Sequence, residues 1–428
     1  MGEPAHPPDP VSVTGGSAGL AADCAEMVAL AGRFGATAVD TLGAAASMHG
    51  YLVHPAVSLS ALVDPIGYAE LEATLLDALD GWHGLAWAAA ACGELDAQLR
   101  VAAASYETAD RLSGALGDRV RGALSAGPAM AGALILLART GNPIRAAEAV
   151  VAADPELADV LIDTLGIPAL LRATAAAVPD GYGVVRAPGL DRLGSAGSPP
   201  RTLTDVLADL GRRNDDARHG AIDVRVLTLP DGSRRAIVDI TGTKSWDPLP
   251  TSDITSMTTN GRALVGERTA YEGGVLEAMR RAGVRPRDDV MLVGHSEGGL
   301  VAVTAARDAV ASGAFHVTHV VTAGAPIGLT VGALPSTVQV LALENSTDVV
   351  PHLDGVANPD RPNVTTVSAR HGDGTVLGDH SIGEAYLPLA ADAQSSSNRS
   401  IRDFLAGAAG YFQAKEVQTH TYQIQRRY

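Results

Sequence analysis

Lysine is almost missing from this chain, which has only Lys244 and Lys415 in 428 residues. Arginine carries nearly all the positive charge. With the heavy alanine content, this bias reads as genome composition and points to no chemistry. Cysteine is as scarce: Cys24 and Cys92 exclude both a disulfide framework and a cysteine-based metal site, and whether the two pair stays open. Long apolar runs are absent too. The stretches free of Asp, Glu, Lys and Arg, from Thr41 to Val63 and from Ala309 to Leu343, are broken by His, Pro, Gly and Ser. Neither offers the roughly 20 consecutive apolar residues of a transmembrane span, so both are expected as buried core. The segment Met1 to Pro10 lacks the basic start and apolar stretch of a Sec-type signal peptide. A basic surface is also missing. The net charge is −16, which makes nucleic acid a poor partner, because phosphate binding needs cations that release counterions.

The acidity is uneven. Residues 1 to 180 hold 21 acidic against 8 basic side chains, and the remainder 27 against 24. The first half therefore reads as a solvated helical surface. Its apolar residues Leu20, Cys24, Met27, Ala31, Phe34, Ala38 and Leu42 recur every three or four positions, and a second stripe runs through Leu95, Leu99, Ala102, Tyr106, Ala109 and, seven further on, Leu116. This predicts an Ala-rich helical hairpin or bundle over 14–178. Pro, Gly and Ser cluster between Pro179 and Pro200, which reads as a linker over 179–200.

From 201 to 428 the texture changes to an α/β domain. Ile222 to Leu229 and Arg235 to Ile240 flank Asp231-Gly232 as a hairpin. The further strands expected are Val290 to Val293, Val317 to Thr322, Val338 to Leu343 and Val364 to Ala369. Strands alternating with helices predict a mostly parallel sheet with helices on both faces.

Gly294-His295-Ser296-Glu297-Gly298 lies between an expected strand and an expected helix, Gly298 to Val310. A G-x-S-x-G turn there bends sharply and lifts a serine clear of the sheet. Ser296 then needs a histidine base and an acid to orient it. On an α/β-hydrolase the order is Ser, acid, His, which selects Asp348 after the Val338 to Leu343 strand. Of the later histidines, His380 opens a helix after the last clear strand and is the expected base. His371 is the second choice, and His352 is too near Asp348. Asp373 and Asp379 read as surface charges. The oxyanion donors expected are the backbone N–H groups of Glu297 and Thr243, the latter in the loop Thr241 to Trp246. Trp246 to Arg262 is polar and reads either as a lid or as a surface loop.

Five motifs in this order, Ile240 to Thr243, Gly294 to Gly299, Thr322 to Pro326, Asn345 to Pro351 and His380 to Tyr386, resemble those of class 3 lipases. They resemble still more those of actinobacterial hydrolases related to GPI inositol deacylases. The resemblance covers roughly residues 220 to 390. It implies the α/β-hydrolase fold, a triad of Ser296, Asp348 and His380, no metal or other cofactor, and ester hydrolysis on a lipid or small-molecule acyl ester. A thioesterase or acyltransferase would use the same triad. Glu297 departs from the family, where an apolar residue commonly follows the serine, and implies a negative charge that would disfavour anionic substrates.

Trp82-His83-Gly84 at a helix junction, with Tyr106 and Asp110 four apart on the next helix, resembles the WXG and YxxxD elements of type VII secretion substrates. That resemblance implies a secretion chaperone as partner, export to the envelope or medium without a Sec signal, and a helical region acting as effector or scaffold. Tyr106 and Asp110 read equally as a structural pair in a domain that packs on or gates the hydrolase, in a cytoplasmic protein.

Overall fold

The computed structural model describes residues 11–81, 84–104, 151, 159, 162, 169, 179–186, 197–216, 218–244 and 253–428. It divides into two units: Leu20–Ala115, and a discontinuous unit formed by Met1–Gly19 with Leu116–Tyr428.

The larger unit is a mixed α/β domain on a nine-stranded, partly parallel sheet. Its strands in chain order are β1 (Ser12–Gly15), β2 (Tyr182–Arg186), β3 (Ala221–Thr228), β4 (Arg234–Ile240), β5 (Asp289–His295), β6 (His316–Ala323), β7 (Gln339–Asn345), β8 (Val364–Ala369) and β9 (Glu416–Arg427). In space they run β1-β8-β7-β6-β5-β4-β3-β9-β2. The run β4 to β8 is parallel, while β3, β9 and β2 on one side and β1 on the other are antiparallel.

Side chains alternate between the faces of a strand, so each central strand feeds two cores. Val290 and Leu292 of β5 join Val238, Val320 and Val340 in one core, covered by Val275 and Met279 of helix Ala270–Arg281 and by Leu300 and Val301 of helix Glu297–Ala311. Met291 and Val293 point the other way, joining Ile237, Val321 and Leu341 under Leu207 of helix Leu203–Asn214, Leu389 of Leu387–Ser395 and Ile401 of Arg399–Ala408. Burial on both faces explains why these strands read as continuous apolar runs.

The hairpin at Asp231-Gly232 forms as expected, with β3 antiparallel to β4 and Gly232 at φ 83°. Three strands have no counterpart in the sequence expectation. Thr14 and Gly15, at the start of the expected helical region, belong to β1. Tyr182–Arg186, inside the expected linker, is the edge strand β2. The polar segment Glu416–Arg427 forms β9 between β3 and β2.

The smaller unit carries helices Leu20–Leu52, Pro55–Ser60 and Pro65–Asp80, then a helix over 85–104. The buried residues of the first helix include Cys24, Ala31, Ala38 and Ala45, a seven-residue spacing. Cys24 Sγ meets the Ala103 carbonyl at 3.8 Å, and Cβ atoms placed on Gly35 and Gly32 would approach Asp96 and Arg100. Numbers that rise on one helix fall on the other, so the two are antiparallel. Small residues at the seam permit this close approach. Leu42 and Leu95, expected in the apolar stripes, are exposed. Both cysteines are free thiols. No helix among the described residues is long and apolar enough to cross a membrane.

Candidate active site

The site grows from the end of β5. Ser296 is the only non-glycine among the described residues with positive φ, at φ 56° and ψ −127°. Such a conformation costs about 1–3 kcal/mol and persists only where its surroundings over-determine it. Here they do. Ser296 N–H donates to the Ala323 carbonyl at the end of β6 (2.9 Å), and a Cβ on Gly294 would collide with the Gly298 carbonyl. A Cβ on Gly298 would in turn strike the Ile240 carbonyl. The two glycines are thus required by backbone crowding on both sides of the serine.

His380 Nδ1 lies 2.6 Å from Asp348 Oδ2, so the two residues that the sequence order selects are joined. Asp348 is fully enclosed and His380 largely so. Two further donors reach the same carboxylate: Val350 N–H at 2.9 Å to Oδ1 and the Tyr386 hydroxyl at 2.5 Å to Oδ2. Burial, then the Asp348 charge, pushes the Tyr386 phenol well above its usual range, so it stays a donor. The loop holding His380 is braced from two strand ends. Asn345 of β7 donates to the carbonyls of His371 (3.0 Å) and Asp379 (2.8 Å), and accepts from His371 N–H (3.0 Å).

His295, directly before the serine, sets its Nε2 2.9 Å from the His380 carbonyl and stacks on the His380 ring with centroids 4.5 Å apart. Burial, then the neighbouring His380, lowers its pKa well below the usual imidazole value, so His295 is a neutral brace. Through it the serine turn and the base loop meet. The Ser296 hydroxyl makes no hydrogen bond among the described residues. Resting sites often leave that contact open until substrate arrives.

On the opposite side of the turn, a Cβ on Gly242 would come within 2.9 Å of Ser296 Cβ. Of the three successive amides here, Gly242 donates to Asn214 Oδ1 (3.1 Å) and Lys244 to the Thr255 carbonyl (3.2 Å). Thr243 N–H has no acceptor among the described residues, and neither does Glu297 N–H at the start of its helix. These are the two donors expected of an oxyanion hole. One lies on the loop after β4 and the other opens the helix directly after Ser296.

Several expectations need correction. The Glu297 carboxyl does not charge the pocket: it is 1% exposed and accepts from Thr243 Oγ1 at 2.8 Å. Burial pushes its pKa well above the carboxylate range, with the Thr243 hydrogen bond opposing. Residues 254–256 are buried, and Met257–Ala263 forms a helix with a buried inner face, so this part of the polar segment is not a surface loop. Residues 246–252 lie outside the described residues. Asp379 is buried and accepts from Gly374 N–H (2.9 Å), whereas Asp373 is a surface residue. His371 pairs with Asp392 and His352 with Asp159, each at 2.8 Å. Trp82, Tyr106 and Asp110 lie outside the described residues. Gly84 occupies a turn where a Cβ would crowd the Ala78 and Gly81 carbonyls.

Tyr386, Asn345 and His295 are additions to the sequence reading. Each stands inside a motif named above, but a bracing role shows only in contacts between distant segments. Among the described residues no group of three or more His, Cys, Asp or Glu side chains is arranged to hold a metal ion. Comparison with models of known protein families, with curated proteins and with solved structures finds no match.

Proposed function

We propose that this chain is a serine hydrolase on the α/β-hydrolase plan, cleaving carboxylic esters of lipids or small acyl compounds through an acyl-enzyme. The observation that carries the reading is a serine in a left-handed turn beside a buried, hydrogen-bonded histidine–aspartate pair. The motif order shared with class 3 lipases supports it. The unpaired amides of Thr243 and Glu297 support it further.

In this scheme the Ser296 oxygen attacks the ester carbonyl while His380 Nε2 takes the hydroxyl proton. Asp348 holds Nδ1–H, fixes the tautomer and stabilises the imidazolium. The N–H groups of Thr243 and Glu297 receive the negative oxygen of the tetrahedral adduct. Collapse breaks the ester C–O bond, and the leaving alkoxide takes the proton from His380. Water then repeats the sequence on the acyl-serine, with His380 as base, and releases the carboxylic acid.

The test is Ser296→Ala. Wild type should react with a fluorophosphonate probe and hydrolyse p-nitrophenyl acyl esters, whereas the variant should lose labelling entirely and hydrolysis by at least about 10³-fold. Labelling of the variant at the wild-type rate would overturn the proposal.

A further inference from the structure

The proposed chemistry uses the backbone N–H of Glu297 and leaves its side chain without a task. That side chain is nevertheless a meeting point. Its Oε2 accepts from Thr243 Oγ1 at 2.8 Å. Thr243 Oγ1 in turn accepts from Asn260 Nδ2 at 2.7 Å. Arg426 of β9, fully buried, donates to Ser256 Oγ (3.0 Å) and Thr259 Oγ1 (2.6 Å), and lies 3.0 Å from Asp180. Three pieces of chain therefore meet in one relay, Asn260 to Thr243 Oγ1 to the Glu297 carboxyl: the buried segment 254–260, the loop after β4, and the first turn of the helix that begins at Glu297. Oε1 has no hydrogen-bond partner among the described residues. An apolar residue here would leave the Thr243 hydroxyl without that acceptor.

We propose that the Glu297 carboxyl is a positioning residue, tying Thr243 to the first turn of the nucleophile's helix so that the two oxyanion N–H groups keep a fixed spacing. The proposal rests on the hydrolase reading. Its physical basis is that preorganised donors stabilise a developing charge only when already aimed at it. A loop free to drift by about 1 Å loses much of that benefit. Because the side chain acts through Thr243 and not on substrate, its removal should slow the chemical steps and spare binding.

The experiment compares Glu297→Leu, Glu297→Gln, Thr243→Val and Thr243→Ser, with the double variant Glu297→Leu/Thr243→Val. The readouts are kcat and KM on p-nitrophenyl butyrate, the fluorophosphonate labelling rate, and thermal melting. Glu297→Leu and Thr243→Val should each lower kcat and the labelling rate by about 10- to 100-fold, with KM changed less than about 2-fold. Glu297→Gln, whose amide oxygen accepts the same donors, and Thr243→Ser, which keeps the hydroxyl, should recover most of the loss. The double variant should be no slower than the slower single one, since both cut the same tie. Wild-type kcat in a folded Glu297→Leu or Thr243→Val variant would overturn the proposal, as would losses that multiply in the double variant. Should Glu297→Leu not fold, Thr243→Val against Thr243→Ser decides from the other end. A wild type inert to fluorophosphonate would remove the hydrolase reading instead. Hydrogen exchange at the Thr243 amide then judges the tie: faster exchange in Thr243→Val than in Thr243→Ser sustains it, and equal rates overturn it.

Discussion

The two units spend their apolar residues in opposite ways. In Leu20–Ala115 most of the innermost described positions are small, with Ala31, Cys24 and Ala103 at 0–1% exposure and Leu79 the large exception, while Leu42, Val53, Leu62, Val63 and Ile66 stand exposed. In the α/β unit it is the large aliphatic side chains of β4 to β8 that are enclosed, in two cores on the two faces of the sheet. High hydrophobic content therefore does not by itself mean a large core. A helix seam of alanines gains closeness and buries little area, whereas a sheet covered on both faces buries about 1.5–3 kcal/mol per large aliphatic side chain. The sheet can then hold a strained serine, because packing on both sides fixes the strand that carries it.

Mutations can break or sharpen this contrast. Leu341→Ala, at a fully buried position of β7, should cost about 2–5 kcal/mol by denaturant unfolding of the α/β unit, because a cavity forms where the sheet cannot collapse. A smaller loss would mean that the sheet core is looser than described. Ala31→Leu should cost about 1–3 kcal/mol by overpacking the seam. Hydrogen exchange should rise within 20–104 and stay slow in β4 to β8, and a rise in both would erase the distinction.

Glu272 offers a third probe. It lies 0% exposed on helix Ala270–Arg281, and burial, then the neighbouring Asp308 carboxylate, raises its pKa. A carboxyl whose folded pKa is raised holds its proton longer than the unfolded chain does. Its share of stability is thus complete below the ordinary carboxylate range and is lost as pH rises towards neutrality. Glu272→Gln should flatten that decline, raising Tm by a few degrees at pH 8 and leaving it near wild type at pH 4, read by calorimetry across pH. The smallest effect is expected from Leu62→Ser at an 82% exposed position, within about 0.5 kcal/mol of wild type. A larger loss would show that the exposed apolar side chains of the helical unit are in use.

Legibility in the sequence followed the same division. β5 and β7 could be read because two-sided burial favours apolar runs such as Val290 to Val293, and β3 and β4 because the Asp231-Gly232 turn marks the hairpin between them. β9 could not, since Gln418, His420 and Gln423 interrupt its pattern and its pairing with β3 arises about 200 residues away. β2 was hidden by the Pro, Gly and Ser around it, and β1 by having only four residues. At the candidate site, chain order and strand ends are what pick out Ser296, Asp348 and His380, and the structure joins the last two by a hydrogen bond. The bracing by His295, Asn345 and Tyr386 was not legible, because it depends on which carbonyl or carboxylate a side chain meets. Glu297 misled for a related reason: sequence shows a charge, and only enclosure shows that the charge is suppressed.

β1 also bears on how the chain can be cut. Residues 12–15 pair with 365–368 at one edge of the sheet, while the chain between Leu20 and Ala115 forms the other unit. The helical unit is thus an insertion within the α/β unit rather than an appendage ahead of it. During synthesis the first strand must wait for nearly the whole chain to emerge before its partner exists. A truncation that begins after residue 178 removes a strand along with the helices and uncovers the outer edge of β8, inviting pairing with another molecule. Any shortened form meant to keep the sheet whole must therefore retain residues 12–15.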